Sequence, residues 1–278
     1  MDFAGAAQSR WRAVAGHVVL GVLGVLCAFP IYWLYATAFR RPADVLALTP
    51  LPWPLSIDNF VTAAHLVDIA QLLVNTTLVA VLTALGQLLV GLFAAYAFAA
   101  WRFPFQRLLY LAFVGTWVVP FQVTMLPNYV LLLQLGLLNT LAGVIIPNLC
   151  SALGVILLRQ HVDGFPKELL EAAKVDSRSS WSTLWTIVVP NLRAPLAALS
   201  ILLFVTAWNE YFWPAMVLQR SNDVLQLGLR SFMISEGTQG TYWGPLMAVA
   251  GLACLPVFVL YVALRRHIVS AFVRAGLK

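Results

Sequence analysis

The chain has 278 residues, of which 61% are hydrophobic and only 10% are charged. Its mean hydropathy is +0.85, and a water-soluble domain of this composition would expose too much apolar surface to stay in solution. The formal net charge of +6 comes from 17 basic and 11 acidic residues. Composition therefore excludes an ordinary soluble protein and indicates a polytopic membrane protein.

Long intervals without Asp, Glu, Lys or Arg predict the spans, because a membrane-spanning helix needs roughly 20 apolar residues. Five such intervals occur: Ala13–Phe39, Ile69–Trp101, Leu108–Leu158, Ala194–Asn209 and Gly237–Leu264. The third is long enough for two spans. The fourth is short but continues past Glu210 through Tyr211, Phe212 and Trp213. The segments are continuous rather than alternating, which favours helices over a barrel. We predict one all-α membrane domain over residues 1–278, with spans at about 14–38, 72–99, 108–125, 141–158, 191–213 and 244–264.

The segments between these spans follow in chain order. After the first span, "RRPADVLALTPLPWPLSIDNF" is rich in proline and is predicted to be extended before a short helix. Span 2 contains the small residues of "GQLLVGLFAAYAFA", which favour close helix packing. "LPNYVLLLQLGLLN" after span 3 is an uncharged outer excursion, and a charged loop at about 163–190 joins spans 4 and 5.

The placement of Lys and Arg predicts the orientation, since cytoplasmic segments of membrane proteins are enriched in both. If the N-terminus is cytoplasmic, 13 of the 17 basic residues fall in the cytoplasmic segments, which are 1–12, 102–107, 159–193 and 265–278. Both ends are therefore expected in the cytoplasm. The positive charge is explained by topology, and no nucleic-acid partner is expected. The first apolar run is too long for a signal-peptide core and is predicted to be a retained span.

The sequence contains no recognisable nucleotide-binding, metalloprotease or metal-binding motif. None of the three lysines stands in a GxxxxGK[ST] sequence, and HExxH does not occur. The four histidines fall near span ends or in loops, and Cys27, Cys150 and Cys254 lie in apolar segments without metal-ligand spacing. We therefore expect no catalytic residue, no metal site and no cofactor bound by this chain, and any energy source must lie elsewhere.

Charge is concentrated in one short stretch. Eight of the twenty residues from Arg159 to Arg178 are charged. Pro166 suits the first turn of a helix, and acids early with bases late match the helix dipole. The pattern predicts a short helix with a small apolar patch bordered by charge. Periodicity alone leaves two alternatives open: a helix that inserts into a groove on a soluble partner, or one that lies at the lipid headgroups.

The stretch "EAAKVDSRSSWSTLWTIVVPNLRAPL" resembles the EAA motif of permeases from binding-protein-dependent ABC importers. The resemblance extends to "NTTLVAVLTALGQLLVGLFAAYAFA", "LLNTLAGVIIPN", "WNEYFWP" and "YWGPLMAVAGLACLPVFVLYVALRRHIV". Together these stretches are similar to the second permease of carbohydrate-uptake importers, the group handling maltose, other oligosaccharides and glycerol-3-phosphate.

This resemblance implies a MetI-like permease fold with six transmembrane helices and a cytoplasmic coupling helix between spans 4 and 5. It implies a bacterial cytoplasmic membrane location, a second permease, two ATPase subunits holding ATP-Mg, and an extracytoplasmic solute-binding protein. Transport would follow alternating access, with the coupling helix docked in a cleft of the ATPase. The residues implied in coupling are Glu171, Ala172, Ala173, Lys174, Asp176, Ser177, Arg178 and Pro190. Glu171 would pair with the ATPase and the two alanines would form the close contact, whereas Lys174 and Arg178 are equally explained as solvated positive charges.

Two departures from the family pattern stand out. Ser177 replaces a glycine that permits a positive φ at the helix end, where a serine is strained by roughly 1 kcal/mol. We therefore expect one of two outcomes: the loop after the charged helix closes differently from that of the family, or the Ser177 hydroxyl ends the helix. The C-terminal "IVSAFVRAGLK" also differs from the small-residue tail common in the family.

Polar and aromatic residues in the spans are candidates for the substrate path. Glu210 in "WNEYFWP" is an acid near the outer end of span 5, where insertion costs on the order of 3 kcal/mol. Trp208, Tyr211 and Trp213 are candidates for stacking on a sugar or for an interfacial aromatic belt. Asn209 and Glu210 are candidates for a gate. Asn75 and Gln122 are explained either by substrate contact or by packing hydrogen bonds. A secondary transporter or channel would require ionisable groups in the middle of the membrane or an internal repeat, and neither is evident in the sequence. A purely structural assembly factor would leave the EAA pattern unexplained.

Overall fold

A computed structural model describes residues 3–164, 167–219, 223–234 and 242–275, and these residues form helices joined by short connections. The helices before the charged loop are α1 (Phe3–Ala38), α2 (Asp58–Leu66), α3 (Ile69–Ala100), α4 (Gln106–Val118), α5 (Phe121–Gln134), α6 (Leu141–Ile145) and α7 (Ala152–Asp163). The later helices are α8 (Lys167–Val175), α9 (Ser180–Thr183), α10 (Val189–Asn191), α11 (Arg193–Trp208), α12 (Phe212–Val217), α13 (Leu225–Ile234) and α14 (Trp243–Ala275). Pro166 lies outside the described residues, as do the side chains of the C-terminal tail, so the expectations about both stay predictions.

Four stretches of the described residues are long and apolar enough to cross a membrane: Val14–Ala38, Ile69–Ala100, Arg193–Val217 and Trp243–Arg265. They overlap the first, second, fifth and sixth predicted spans. Two bent helix pairs, α4 with α5 and α6 with α7, raise the number to six if each pair is one span.

The third predicted span is not a continuous helix. Residues 108–125 were expected to form one span, but α4 ends at Val118 and α5 begins at Phe121 with a bend of 98° between them. Pro120 lacks a backbone N–H, and the residue before a proline is disfavoured in helical conformation. Val119 is extended, with φ −70° and ψ 119°. The turn at Pro120 therefore corrects the prediction, and α5 carries the chain through most of the expected outer excursion.

The fourth predicted span is also broken, with a bend of 42° between Leu141–Asn148 and Ala152–Asp163. Each piece begins with a hydroxyl cap. Thr140 Oγ1 accepts from the Gly143 N–H at 3.0 Å, and Ser151 Oγ accepts from the Gly154 N–H at 3.3 Å. Such caps satisfy amide groups that a helix start leaves without a partner.

The structure divides into two compact units, Met1–Ile69 with Leu229–Cys254 and Ala70–Gly228 with Leu255–Lys278. In the first unit, the buried Asn59 of α2 holds the end of α1. Its Nδ2 donates to the carbonyls of Ala38 at 3.0 Å and Arg40 at 2.8 Å. A Cβ added to Gly244 would lie 2.2 Å from Asn59 Oδ1, so only glycine fits there. Backbone carbonyls at the end of α1 are thereby satisfied without water.

The second unit has its core around the fully buried Trp213. The indole N–H donates to the carbonyl of Gly143 at 3.2 Å, which joins α12 to α6. Helices α3 and α7 approach closely, since a Cβ on Gly91 would lie 3.2 Å from the backbone carbon of Gly154. This contact confirms the prediction that small residues in span 2 serve helix packing.

Candidate functional site

Helix α8 presents two different faces. Glu168, Glu171, Ala172 and Val175 recur at intervals of three and four residues, so they share one side of the helix, and all four are exposed. Val175 is 84% exposed. Glu171 has no hydrogen bond or ion pair to another described residue. The outward face thus combines the apolar side chains of Ala172 and Val175 with the exposed carboxylates of Glu168 and Glu171.

The opposite face of α8 packs into the second unit. Ala173 is 2% exposed, and Leu170 beside it is half-buried. The expectation that Ala173 contacts a partner is therefore corrected, because its methyl group is already covered by this chain. Ala172 keeps that expectation, whereas Ala173 anchors the helix.

The C-terminus of α8 is closed by backbone hydrogen bonds. The Arg178 N–H donates to the carbonyl of Ala173 at 3.0 Å, and the Ser177 N–H donates to that of Lys174 at 3.0 Å. This pair is the Schellman arrangement, in which the first of the two donors, here Ser177, adopts the left-handed conformation. Ser177 has a φ of +52°. The helix therefore ends with the same backbone geometry that a glycine would give at this position. The structure shows neither of the two expected alternatives, a different loop closure or a cap by the Ser177 hydroxyl.

Lys174 and Arg178 bind groups of the same unit. Lys174 Nζ donates to the carbonyl of Ala100 at 3.5 Å, and Arg178 Nη1 donates to Thr186 Oγ1 at 3.3 Å. Both side chains are exposed, as is Asp176. The two cations link α8 to the end of α3 and to the segment that follows.

A second link between α3 and the charged loop was missed by sequence reasoning. The Tyr96 hydroxyl donates to the carbonyl of Ser180 at 3.2 Å, and the rings of Phe93 and Trp181 are 5.8 Å apart. An aromatic residue every few positions near a span end would have indicated this contact, but an interfacial belt has the same pattern. The link ties the charged loop to a long apolar helix.

Pro190 lies in a helical segment that changes type. Ser179 caps α9 by accepting from the Ser182 N–H at 3.2 Å, and residues Leu184–Val188 form a turn of π-helix before α10. Proline removes one backbone donor from such a run. One turn earlier the Ile187 carbonyl accepts from Asn191 Nδ2 at 2.7 Å. Pro190 is thus a helix-shaping residue in this chain.

Glu210 lies in the break between α11 and α12. Its Oε1 accepts from the N–H groups of Phe212 at 3.0 Å and Trp213 at 3.3 Å. Its neighbour Asn209 is exposed and donates through Nδ2 to the carbonyl of Val205 at 2.9 Å. The carboxylate therefore caps a short helix, which is a structural role that the sequence did not reveal.

The aromatic candidates separate by burial. Trp208 is 2% exposed and stacks on Phe204 with ring centroids 5.5 Å apart. Trp213 is fully buried. Neither ring is open to a ligand, so the expectation of sugar stacking by Trp208 and Trp213 is corrected. Tyr211 is half-buried and keeps that expectation.

Asn75 and Trp208 both make hydrogen bonds to residues 223–226, at and just before the start of α13, and sequence reasoning missed these contacts. Asn75 Nδ2 donates to the carbonyl of Asp223 at 3.0 Å, and Gln226 Nε2 donates to the carbonyl of Trp208. Between them, Thr76 Oγ1 accepts from the Leu225 N–H at 2.7 Å. Asn75 thus makes the packing hydrogen bond that was one of its two explanations. Gln122 is exposed in the first turn of α5, apart from this group.

Residues 87–274 match the family described as binding-protein-dependent transport system inner membrane component, which covers well over half of the chain and includes α8. The chain belongs to this family. It is a membrane permease component of such a transport system, and this excludes the stand-alone secondary transporter, the channel and the assembly factor as classes.

Curated relatives cover nearly the whole permease. It is 29% identical over 269 residues to the sn-glycerol-3-phosphate transport system permease protein UgpE of Brucella abortus (strain 2308), covering 93% of this chain and 95% of that protein. It is 30% identical over 263 residues to the lactose transport system permease protein LacG of Rhizobium radiobacter, covering 95% and 96%.

A solved structure shares the permease fold. In the crystal structure of a bacterial ABC transporter involved in the import of the acidic polysaccharide alginate, one chain matches with a TM-score of 0.82. The match covers 94% of this chain and 98% of that chain at 20% identity. This likeness confirms the predicted all-helical importer-permease fold.

Proposed function

We propose that this permease is one of two different membrane subunits of an ATP-driven importer that moves a sugar, a polyol or a phosphorylated derivative such as glycerol-3-phosphate. The relatives named for glycerol-3-phosphate and for lactose support this solute class, because both are small polyhydroxylated molecules. The observation that carries the coupling part of the proposal is the two-faced helix α8.

The outward face of α8 is the surface offered to a motor subunit. It combines an exposed apolar strip, formed by Ala172 and Val175, with the carboxylate of Glu171, which has no partner among the described residues. A helix with such a face fits a groove whose floor is apolar and whose edge is basic. On the opposite face Ala173 is buried against the rest of the chain, which restricts sliding of α8. A displacement of α8 by the motor subunit would therefore also displace the helices that pack against α8.

Behind α8 the force reaches the spans through short, polar contacts. The carbonyl of Ala100 at the end of α3 accepts from Lys174 at 3.5 Å, and the Tyr96 hydroxyl of the same helix donates to Ser180 at 3.2 Å. Closure of the ATPases would therefore tilt α3 together with α8. Such a rigid connection is what alternating access requires of a subunit that hydrolyses no ATP itself.

The proposed assembly has this chain, a second permease, two ATPase subunits that hold ATP-Mg, and an extracytoplasmic solute-binding protein. No cofactor is assigned to this chain. The location is the bacterial cytoplasmic membrane, with both termini in the cytoplasm. The distribution of basic residues supports that orientation, because 13 of 17 fall in the segments placed inside.

The test is co-purification of the tagged chain with its partners, comparing Glu171→Arg with the unchanged chain. We expect the unchanged chain to bring a P-loop ATPase, a second permease and a binding protein, and Glu171→Arg to lose the ATPase at equal expression. Asp44→Arg, which reverses another exposed carboxylate far along the sequence, is the matched control and should retain every partner. Recovery of the chain alone, with solute uptake in proteoliposomes without ATP, would contradict the proposal.

The solute is tested on the purified complex in nanodiscs. Glycerol-3-phosphate and lactose, each loaded on the co-purified binding protein, should be compared for stimulation of ATP hydrolysis. Stimulation by either supports the solute class. Stimulation by an amino acid or a peptide, with no response to either polyhydroxylated compound, would exclude it.

A further inference from the structure

A buried arginine, Arg40, lies just after the end of α1 without an anionic partner. It is 2% exposed. Its Nη1 donates to Thr37 Oγ1 at 3.4 Å, and its Nη2 donates to the carbonyl of Thr49. Both acceptors are uncharged, and no carboxylate of the described residues forms an ion pair with this arginine. Its Nε is buried and has no acceptor among them either. A buried charge is costly unless an opposite charge compensates it, so this guanidinium indicates a place for an anion.

The position of the guanidinium is fixed by its surroundings. Its Cζ lies 4.5 Å from the centroid of the Trp33 ring, which is a cation–π contact. The irregular segment 45–57 between α1 and α2 folds back along α1, because the Tyr32 hydroxyl donates to the carbonyl of Pro50. This folding places the segment against Arg40, which donates to one of its carbonyls. The arginine is therefore held in place before any anion binds, and such preorganisation favours binding.

Arg40 borders a cavity of about 140 Å³ within the first unit. The lining includes Arg40, Arg41, Asp44, Thr49, Leu51 and Trp53. Asp44 forms no ion pair with either arginine, so the lining carries a net positive charge. The N–H groups of Thr49 and Leu51 have no acceptor among the described residues, and backbone donors of this kind are common in anion sites. A cavity of this size holds several water molecules and therefore has room for a phosphate group.

We infer that this cavity is a binding site for one phosphate group. The planar guanidinium of an arginine matches a phosphate through two parallel hydrogen bonds, and Arg41 adds a second positive charge. Both arginines follow shortly after the apolar stretch Val14–Ala38, so the cavity lies where a membrane span ends. Lipid headgroups and phosphorylated solutes both present a phosphate there, and basic pockets beside spans bind such headgroups. The inference rests on the membrane location of the chain and not on the proposed partners.

The test measures two probes on the tagged chain, purified with its partners in a phosphate-free maltoside detergent. Phosphatidylglycerol is counted by native mass spectrometry, and radiolabelled inorganic phosphate is measured by equilibrium dialysis. The variants are Arg41→Gln, Asp44→Asn and, as the matched control, Arg107→Gln in α4. All three positions are exposed, so these substitutions leave the packing unchanged. Phosphate that an ATPase partner binds is common to all variants, so a difference between variants reports on the cavity.

We expect at least one probe to bind several-fold more weakly to Arg41→Gln and several-fold more tightly to Asp44→Asn, with Arg107→Gln unchanged. A change for phosphatidylglycerol alone identifies a lipid headgroup as the source of the phosphate, and a change for inorganic phosphate identifies a soluble one. Equal binding of both probes to all variants would overturn the inference. An equal loss in Arg41→Gln and Arg107→Gln would also overturn it, because the effect would then be one of general surface charge. Either result leaves the proposed function intact, since co-purification of the ATPase does not depend on this cavity.

Discussion

Ser177 shows how one residue can depart from a family pattern without changing the backbone. Of the described residues other than glycine, Phe105, Asn139 and Ser177 have a positive φ, and only Ser177 ends a helix in a Schellman arrangement. The left-handed region places Cβ close to a carbonyl oxygen, which costs about 1 kcal/mol or more. The hydrogen bonds from Ser177 and Arg178 into α8 hold the serine there in spite of that cost.

Ser177→Gly should therefore stabilise the chain, because glycine adopts a positive φ without a Cβ conflict. We expect a gain of about 1 kcal/mol, or a rise of roughly 2 °C in the midpoint of thermal unfolding for a chain of this size. Unfolding is measured by intrinsic fluorescence in nanodiscs. Ser177→Ala is the matched control and should give no gain, since alanine keeps the Cβ; an equal rise for alanine would show that the backbone strain is not the cause.

At the scale of helices, the break between α11 and α12 explains an acid in an apolar span. A break leaves the first N–H groups of the second helix without partners. Glu210 supplies Oε1 to two of them, at Phe212 and Trp213. Trp213 then fills the core of the second unit, so the position of a buried aromatic side chain depends on the cap. The observed contacts of Glu210 are those of a helix cap, for which an uncharged oxygen acceptor is sufficient. A contact between this carboxylate and the solute would depend on its negative charge in addition.

Substitutions at Glu210 separate these two roles. Glu210→Ala should lower the stability by about 1 kcal/mol, because both N–H groups lose their acceptor. Glu210→Gln keeps an Oε1 and should retain most of the stability. Thermal unfolding and ATP-driven uptake are measured on both variants. Uptake that survives in Glu210→Gln indicates a cap alone, whereas full stability with uptake abolished would indicate a contact between the carboxylate and the solute.

At the scale of the whole molecule, the basic residues and the apolar spans together predict the orientation. Positive charges are retained on the cytoplasmic side during insertion, and short loops follow this rule most closely. The bends in the third and fourth spans do not alter the charge of the segments that flank them. The orientation is therefore expected to hold even though two of the six predicted spans are broken helices.

Reporter fusions test this orientation. Green fluorescent protein fused after Lys278 should fluoresce, and alkaline phosphatase fused there should be inactive, because the C-terminus is expected in the cytoplasm. Phosphatase inserted after Asp58 should be active, since that segment is expected outside. Each fusion is normalised to its expression level. The reverse pattern at both positions would show that the chain is inverted relative to the charge rule.

Much of the local structure could be predicted from sequence because it depends on neighbouring residues. The short helix at α8 and its end at Ser177 follow from acids, bases and small residues at helical spacing. The faces of that helix could not be predicted, since Ala172 and Ala173 are chemically identical and only packing makes one exposed and the other buried. The same holds for Trp208, whose ring is equally suited to a ligand and to a core.

The sequence by itself determined the membrane class, the approximate spans, the position of the charged segment and the family, because partition into lipid and helix formation depend on composition and short-range spacing. The tertiary structure alone decided the sharp turn at Pro120, the capping role of Glu210, the burial of Ala173 and Trp208, and the folding of segment 45–57 back along α1. Each of these depends on which distant side chains meet. A hydrogen bond such as that from Tyr32 to Pro50 joins residues 18 positions apart, and no local pattern specifies such a pairing.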